Sequence, residues 1–149
     1  MKLSKNFKLS EFMISRSHPE LLINVHIPPH YKWNLFKLAT IHMQTIRDFL
    51  KKPVYITSGF RTQELNKRIG GRKNSQHLFG EAADWVVLNK DSSVDQGAME
   101  EGAVFVKTHL WPAVGEHIIY REKNGDIAFV HTSLPDPRFV QRFYTIRNK

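Results

Sequence analysis

Cysteine is missing from all 149 residues. The chain therefore has no disulfide framework, no thiolate nucleophile and no sulfur ligand, and any metal it binds must be held by His, Asp and Glu. Long apolar runs are missing as well. Nothing approaches the roughly 18 uncharged apolar residues of a membrane helix, and the opening MKLSKNFKLSEF has no apolar core of a secretory leader, so neither a membrane span nor an export signal is expected. Acids are few beside bases, 14 against 22, and the formal charge of +8 favours polyanionic partners such as nucleic acid, an anionic membrane surface or an anionic cell wall. The basic residues are scattered, with NKRIGGRK (66–73) as their cluster and no platform of basic and aromatic residues, so nucleic acid is not the expected partner. Repeats, low-complexity tracts and linkers are absent too, and the length suits a single domain over 1–149.

Residues 1–31 read as an irregular segment, broken by Pro19, Pro28 and Pro29, that wraps a core built from 32–149. A short helix around SEFMIS has Ser10 as its candidate N-cap. WNLFKLATIHMQTIRDFL sets Leu35, Leu38, His42, Ile46 and Phe49 at helical spacing and predicts an amphipathic helix over 33–50. On that stripe His42 reads as a core histidine with one hydrogen bond. PVYITS (53–58) reads as a short buried strand, followed by a helix that Thr62 caps and Gly70 and Gly71 end. AADWVVL (82–88) reads as a second strand, with Asp84, Val86 and Leu88 on one face, and a helix from about 93 to 110 follows. EHIIYREKNGDIAFVHTSL reads as an antiparallel hairpin turning at Asn124 and Gly125, with Phe129, His131 and Ser133 sharing a face.

SQHLFGEAAD (75–84) gathers a histidine, a glycine and two acids into ten positions. A hydrolytic zinc site takes three protein ligands and keeps a fourth position for water. His77 and Asp84 offer two of the three: the chain leaves His77 in a loop, turns at Gly80 and returns at Asp84 on a strand, with small Ala82 and Ala83 leaving room. His131, in mid-strand, is the best candidate for the third. On spacing alone a His near an Asp is also the pattern of a surface hydrogen bond, and that alternative stays open. The other histidines fit less well: His18, His26 and His30 lie in the proline-broken segment, His109 ends a helix, and His117 faces away from His131.

The same ten residues fit Ser-x-His-x-x-Gly-x-Ala-x-Asp in full, which resembles the signature of the zinc D-Ala-D-Ala carboxypeptidase and endopeptidase family. The resemblance extends to ITSGFRTQELNKRIGG, similar to the segment carrying that family's substrate-binding arginine, and to FVHTS, similar to the strand with its third zinc ligand. FKLSEFMIS resembles the opening of the phage-encoded branch. The resemblance implies a small α+β domain with a mainly antiparallel central sheet flanked by helices, similar to the hedgehog signalling domain. It implies that His77, Asp84 and His131 bind Zn2+, that Arg61 pairs with a peptide carboxylate or the polarised carbonyl, and that Ser75 supports the site. The implied substrates are peptidoglycan stem or cross-link peptides. The implied setting is a lytic, phage-encoded monomer that reaches the wall through a lysis pore or is carried in the virion.

A metallopeptidase also needs a general base. Several relatives place an acid three residues before the last zinc histidine, where this chain has Ala128. The phage branch implies Glu122, within HIIYRE, although Arg121 is the other residue that aligns there. A two-residue turn at Asn124 and Gly125 sets Ile118 opposite His131 and puts Glu116 on the same face, roughly 7 to 8 Å away diagonally. It leaves Glu122 on the order of 13 Å off. Both acids remain candidates, beside the plain reading of exposed strand-end acids. Ala128 also keeps open a non-catalytic cell-wall-binding or virion structural protein that retains a structural zinc site.

Overall fold

A computed structural model describes residues 1–148. Its strands are β1 (Tyr55–Ser58), β2 (Ala82–Val86), β3 (Glu116–Arg121), β4 (Ile127–Ser133) and β5 (Arg142–Arg147), and they form a single sheet in the order β1-β2-β4-β3-β5. Every neighbouring pair is antiparallel except β3 and β5. With helices α1 (Pro29–Lys37), α2 (Gln44–Leu50), α3 (Gln63–Arg68) and α4 (Gln96–Phe105), this is the mainly antiparallel α+β architecture expected. No helix among the described residues is long and apolar enough to cross a membrane.

The core lies on the sheet face that carries Ala83 and Trp85, against Leu35, Leu38, Met43 and Ile46 from the first helical run and Met99 and Ala103 from α4. Trp85 is fully buried, and its indole N–H donates to Thr132 Oγ1 at 3.0 Å, so the largest core side chain leaves no polar group unpaired. The N-terminal segment packs on this core, burying Leu3, Phe7, Phe12, Leu22 and Ile27. Ser10 is not its cap. The short 3-10 turn runs Leu9–Phe12, and the Lys8 backbone N–H at its head is taken by the Glu11 carboxylate at 2.6 Å. Phe60 N–H donates to Phe12 O at 2.8 Å and docks the wrap on the loop after β1.

The helix expected over 33–50 starts earlier, at Pro29, whose fixed φ suits a first turn, and it is not uniformly α-helical. Residues Leu38–Met43 form a π-helical turn between α1 and α2. The wider i→i+5 turn advances everything after it. Leu50 is buried in consequence, while Phe49, expected on the core stripe, is 47% exposed and stacks on Phe105 at 4.1 Å. β1 also differs from expectation: it is an edge strand paired only with β2, and Tyr55 is exposed.

Two departures in the hairpin cancel. The turn is not the two-residue turn expected: Gly125 N–H donates to Glu122 O and Glu122 N–H to Asp126 O, with Gly125 at φ 93°, so three residues form the loop. Arg121 then faces Ile127 while Tyr120 faces Phe129, which leaves Ala128 as the extra residue of a β-bulge. The bulge restores the register, and Ile118 lies opposite His131 as the simple turn predicts. β5 was not anticipated.

His42 and His117 are both buried, donating from Nε2 to Ala113 O and Ala103 O respectively. His42 is the core histidine expected from its stripe. Burial holds both pKa values down at about 4. The unfolded chain protonates these rings near 6.5, so it binds more protons than the folded chain between those values. Stability must fall as pH drops through that window, by on the order of 2 kcal/mol per histidine. Urea midpoints measured from pH 7.5 down to 4.5 should decline, and His42→Gln should flatten the decline. A stability difference between the two proteins that does not vary with pH would refute this account.

Candidate metal centre

The centre begins with a cross-strand pair. Asp84 on β2 lies directly opposite His131 on β4, and His131 Nδ1 is 2.8 Å from Asp84 Oδ1. The residues before β2 bring in His77. Ser75 caps the 3-10 turn Gln76–Phe79, its Oγ accepting from His77 N–H, and Gly80 at φ 67° ends the turn. A side chain at Gly80 would lie 2.7 Å from Tyr31 O, so glycine is required for the chain to reverse there and enter β2. His77 Nδ1 donates to Gly59 O at 2.7 Å, which leaves Nε2 facing Asp84 Oδ1 at 3.3 Å. His77, Asp84 and His131 are all buried, and one donor atom from each lies within 4.8 Å of the others.

Arg61 stands at the exit of β1, as the sequence suggested. Its Nε donates to Ser58 Oγ at 3.1 Å and its Nη1 to Asn66 Oδ1 at 3.4 Å, while Nη2 lies 3.5 Å from Asp84 Oδ2. Thr62 caps α3 through Leu65 N–H, which sets the start of the helix that presents Asn66. A cavity of about 280 Å³ opens over these groups. Arg61, Ser75, His77, Asp84 and His131 line it, joined by Arg72, Tyr120, Tyr144, Ile118 and Ile146.

The two acids considered as bases take other positions. Glu122 is exposed at the hairpin end, where Asn148 Nδ2 donates to its Oε2 at 3.0 Å. Glu116 is close to His131, with Oε1 3.5 Å from His131 Nε2, yet it lies behind the imidazole and its oxygens take Arg72 Nη2 at 3.1 Å. Apart from Asp84, the cavity wall carries no carboxylate among the described residues.

Burial would raise the pKa of Asp84, but the charges and hydrogen bonds of His77 and His131 outweigh it and hold the carboxyl well below its usual range. Burial opposes protonation of His131, and the Asp84 and Glu116 carboxylates overcome it, raising that imidazole to about 9. His77 is pushed down, first by burial and then by its cationic neighbours. Glu116 is lowered to about 2 by His131 and by Arg72, against the opposing effect of burial. Asp84 is thus favoured as a buried anion between two imidazoles. This donor set suits a divalent cation, and with no thiol in the chain it suits zinc, which accepts nitrogen and carboxylate oxygen together.

Several residues of the site escaped the sequence reading. Arg72 sat in the one basic cluster, but nothing local connects it to Glu116. Gln76, in an unspecified slot of the motif, is 2% exposed and takes the Ser133 hydroxyl at 2.6 Å. Tyr144 and Ile146 come from β5, whose alternating RFYTIR was the available signal.

A mainly antiparallel α+β sheet with a buried His–Asp–His cluster beside a fixed arginine defines a metal-binding class of domain. The peptidase M15 family model matches residues 5–110, which covers α1 to α4 together with His77 and Asp84, and the chain belongs to that family. Over 33 residues it is 46% identical to the zinc D-Ala-D-Ala carboxypeptidase of Streptomyces albus G, a stretch that is 22% of this chain and 13% of that protein.

Gly59 ties the site to the N-terminal wrap. A Cβ there would lie 2.4 Å from Phe12 O, in a backbone-to-backbone contact that cannot give way locally. Gly59→Ala should therefore destabilise the fold by about 1–3 kcal/mol and shift the Nδ1 resonance of His77, whose acceptor is Gly59 O. Urea denaturation and nitrogen-15 spectra of the imidazoles would check both, and an unperturbed His77 would show that Gly59 does not position it.

Proposed function

We propose that this chain is a zinc-dependent peptidase that hydrolyses stem or cross-link peptides of peptidoglycan. The observation that carries the proposal is the meeting of His77, Asp84 and His131 on the floor of a cavity that also holds Arg61. Family membership and the stretch shared with a zinc carboxypeptidase support it. A lytic, phage-encoded setting is part of the same proposal and is supported by the resemblance of FKLSEFMIS.

His77, Asp84 and His131 would hold the ion. A divalent ion so held supplies Lewis-acid polarisation of a carbonyl and activation of water near neutral pH. The chain's own residues do the rest. Gly59 O fixes the His77 tautomer so that Nε2 is free to ligate. Ser58 and Asn66 hold the Arg61 guanidinium, and Nη2 is left to take a peptide carboxylate. Ile118 and Ile146 supply an apolar wall for a small side chain, and the hydroxyls of Tyr120 and Tyr144 stand at the same cavity as donors to a peptide backbone. Ser75 supports the turn that carries His77.

The absence of a second carboxylate from the cavity wall favours one other reading, a wall-binding or virion structural protein in which the same ion only stabilises the fold. Mass spectrometry of peptidoglycan fragments incubated with zinc-loaded protein separates the two. New peptide termini are expected, and His77→Ala or Asp84→Asn should abolish them by more than about a hundredfold, beyond the loss of an outer partner. Arg61→Lys keeps the charge but loses the planar fork and should raise KM roughly tenfold. Intact fragments from protein shown to hold its zinc would reject the peptidase and leave the structural reading.

A further inference from the structure

Glu116 has a role that its position behind His131 defines, and the inference rests on the metal-centre reading. A neutral imidazole carries one ring proton. Nδ1 of His131 is the nitrogen that faces Asp84, so an ion held there requires the proton on Nε2. Nε2 is buried and makes no hydrogen bond among the described residues. The acceptor it faces is Glu116 Oε1 at 3.5 Å, just beyond the range of a formed bond. An N–H left unpaired in that place would disfavour the tautomer.

Glu116 is held to this position from several sides. It is 4% exposed. Both carboxylate oxygens accept from Arg72 Nη2 at 3.1 Å, and its backbone N–H donates to Ser133 Oγ at 2.7 Å. Ser133 Oγ in turn donates to Gln76 Oε1 at 2.6 Å, and Gln76 Nε2 donates to Glu81 Oε2 at 3.1 Å and to Leu134 O at 2.9 Å. The preceding Gly115 has no space for a side chain, since a Cβ would meet Leu134 O at 2.4 Å. A general base must reach a water above the ligands. Glu116 is turned toward His131 and the Arg72 guanidinium instead.

We propose that Glu116 is a positioning residue: its carboxylate accepts a hydrogen bond from the His131 Nε2–H and holds the ring in the tautomer and orientation that offer Nδ1 to the metal. Arg72 is the latch that keeps Glu116 there. Arg72 is 54% exposed at its side chain, so it can be removed with little disturbance of the core.

The test measures zinc affinity of the full chain by competition with a chromophoric chelator, for the wild type, Glu116→Ala, Glu116→Gln, Arg72→Ala and His77→Ala, with nitrogen-15 spectra of the zinc-loaded wild type. Glu116→Ala should weaken zinc binding 10- to 100-fold, as loss of an outer partner does. Glu116→Gln keeps an acceptor oxygen and should recover most of that loss, and Arg72→Ala should fall between. The spectra should show His131 protonated at Nε2. Thermal melts identify any variant that fails to fold, and if Glu116→Ala does, Arg72→Ala decides the question. Zinc affinity within twofold of wild type in folded Glu116→Ala or Arg72→Ala would overturn the proposal. A wild type that binds zinc no better than His77→Ala would overturn the metal-centre reading itself, and this proposal with it.

Discussion

Asp84 and His131 face each other across β2 and β4, and the rest of the site is arranged around that pairing. Side chains alternate along a strand, so a slip of one residue in either strand would turn one of the two partners into the core face and destroy the centre. The register is therefore the quantity the surrounding structure protects. Trp85 and Ala83 fill the opposite face, Trp85 pins Thr132 across the same two strands, and the bulge at Ala128 absorbs the extra residue introduced by the three-residue loop. With that register set, β3 places Ile118 and Tyr120 beside His131 and starts at Glu116, and the turn before β2 delivers His77.

The pairing also buries a charge. An ionised carboxylate out of water is tolerated only when paired and hydrogen-bonded. Asp84 has His77 and His131 on one oxygen and Arg61 beside the other, and Glu116 has Arg72. The two acids and their partners form one continuous polar layer under the cavity. Gln76 and Ser133, both almost wholly buried, extend this layer to Glu81 and to Arg138 at the surface. Such a layer rigidifies the His77, Asp84 and His131 side chains because their polar partners are already assigned.

Local chemistry made much of this legible in the sequence. His77, Gly80 and Asp84 lie within one turn and one strand, so their spacing carries the geometry. Thr62 at the head of α3 and His131 in mid-strand follow from capping and alternation. The Ile118–His131 register came out right although the turn did not, because the bulge compensates for the longer loop. What stayed hidden depends on contacts between distant segments. Arg72 meets Glu116 only after a loop folds over the start of β3, and the parallel pairing of β5 with β3 is a choice of partner that no local pattern encodes. The π-helical turn was hidden for a different reason: a repeat of apolar positions fits an α-helix until one extra residue is inserted, and Phe49 and Leu50 then exchange places.

β5 contributes to one wall of the cavity and is an edge strand whose sheet neighbour is β3, with most of its residues exposed. His77, Asp84 and His131 lie on β2, β4 and a turn packed against the core. Amide protons in β5 should therefore exchange with solvent far sooner than those of β2 and β4, since local opening follows the least buried contacts. The floor and the mouth of the site thus belong to parts of the molecule held with different strength: opening at Tyr144 and Ile146 would leave the contacts that assemble His77, Asp84 and His131 in place.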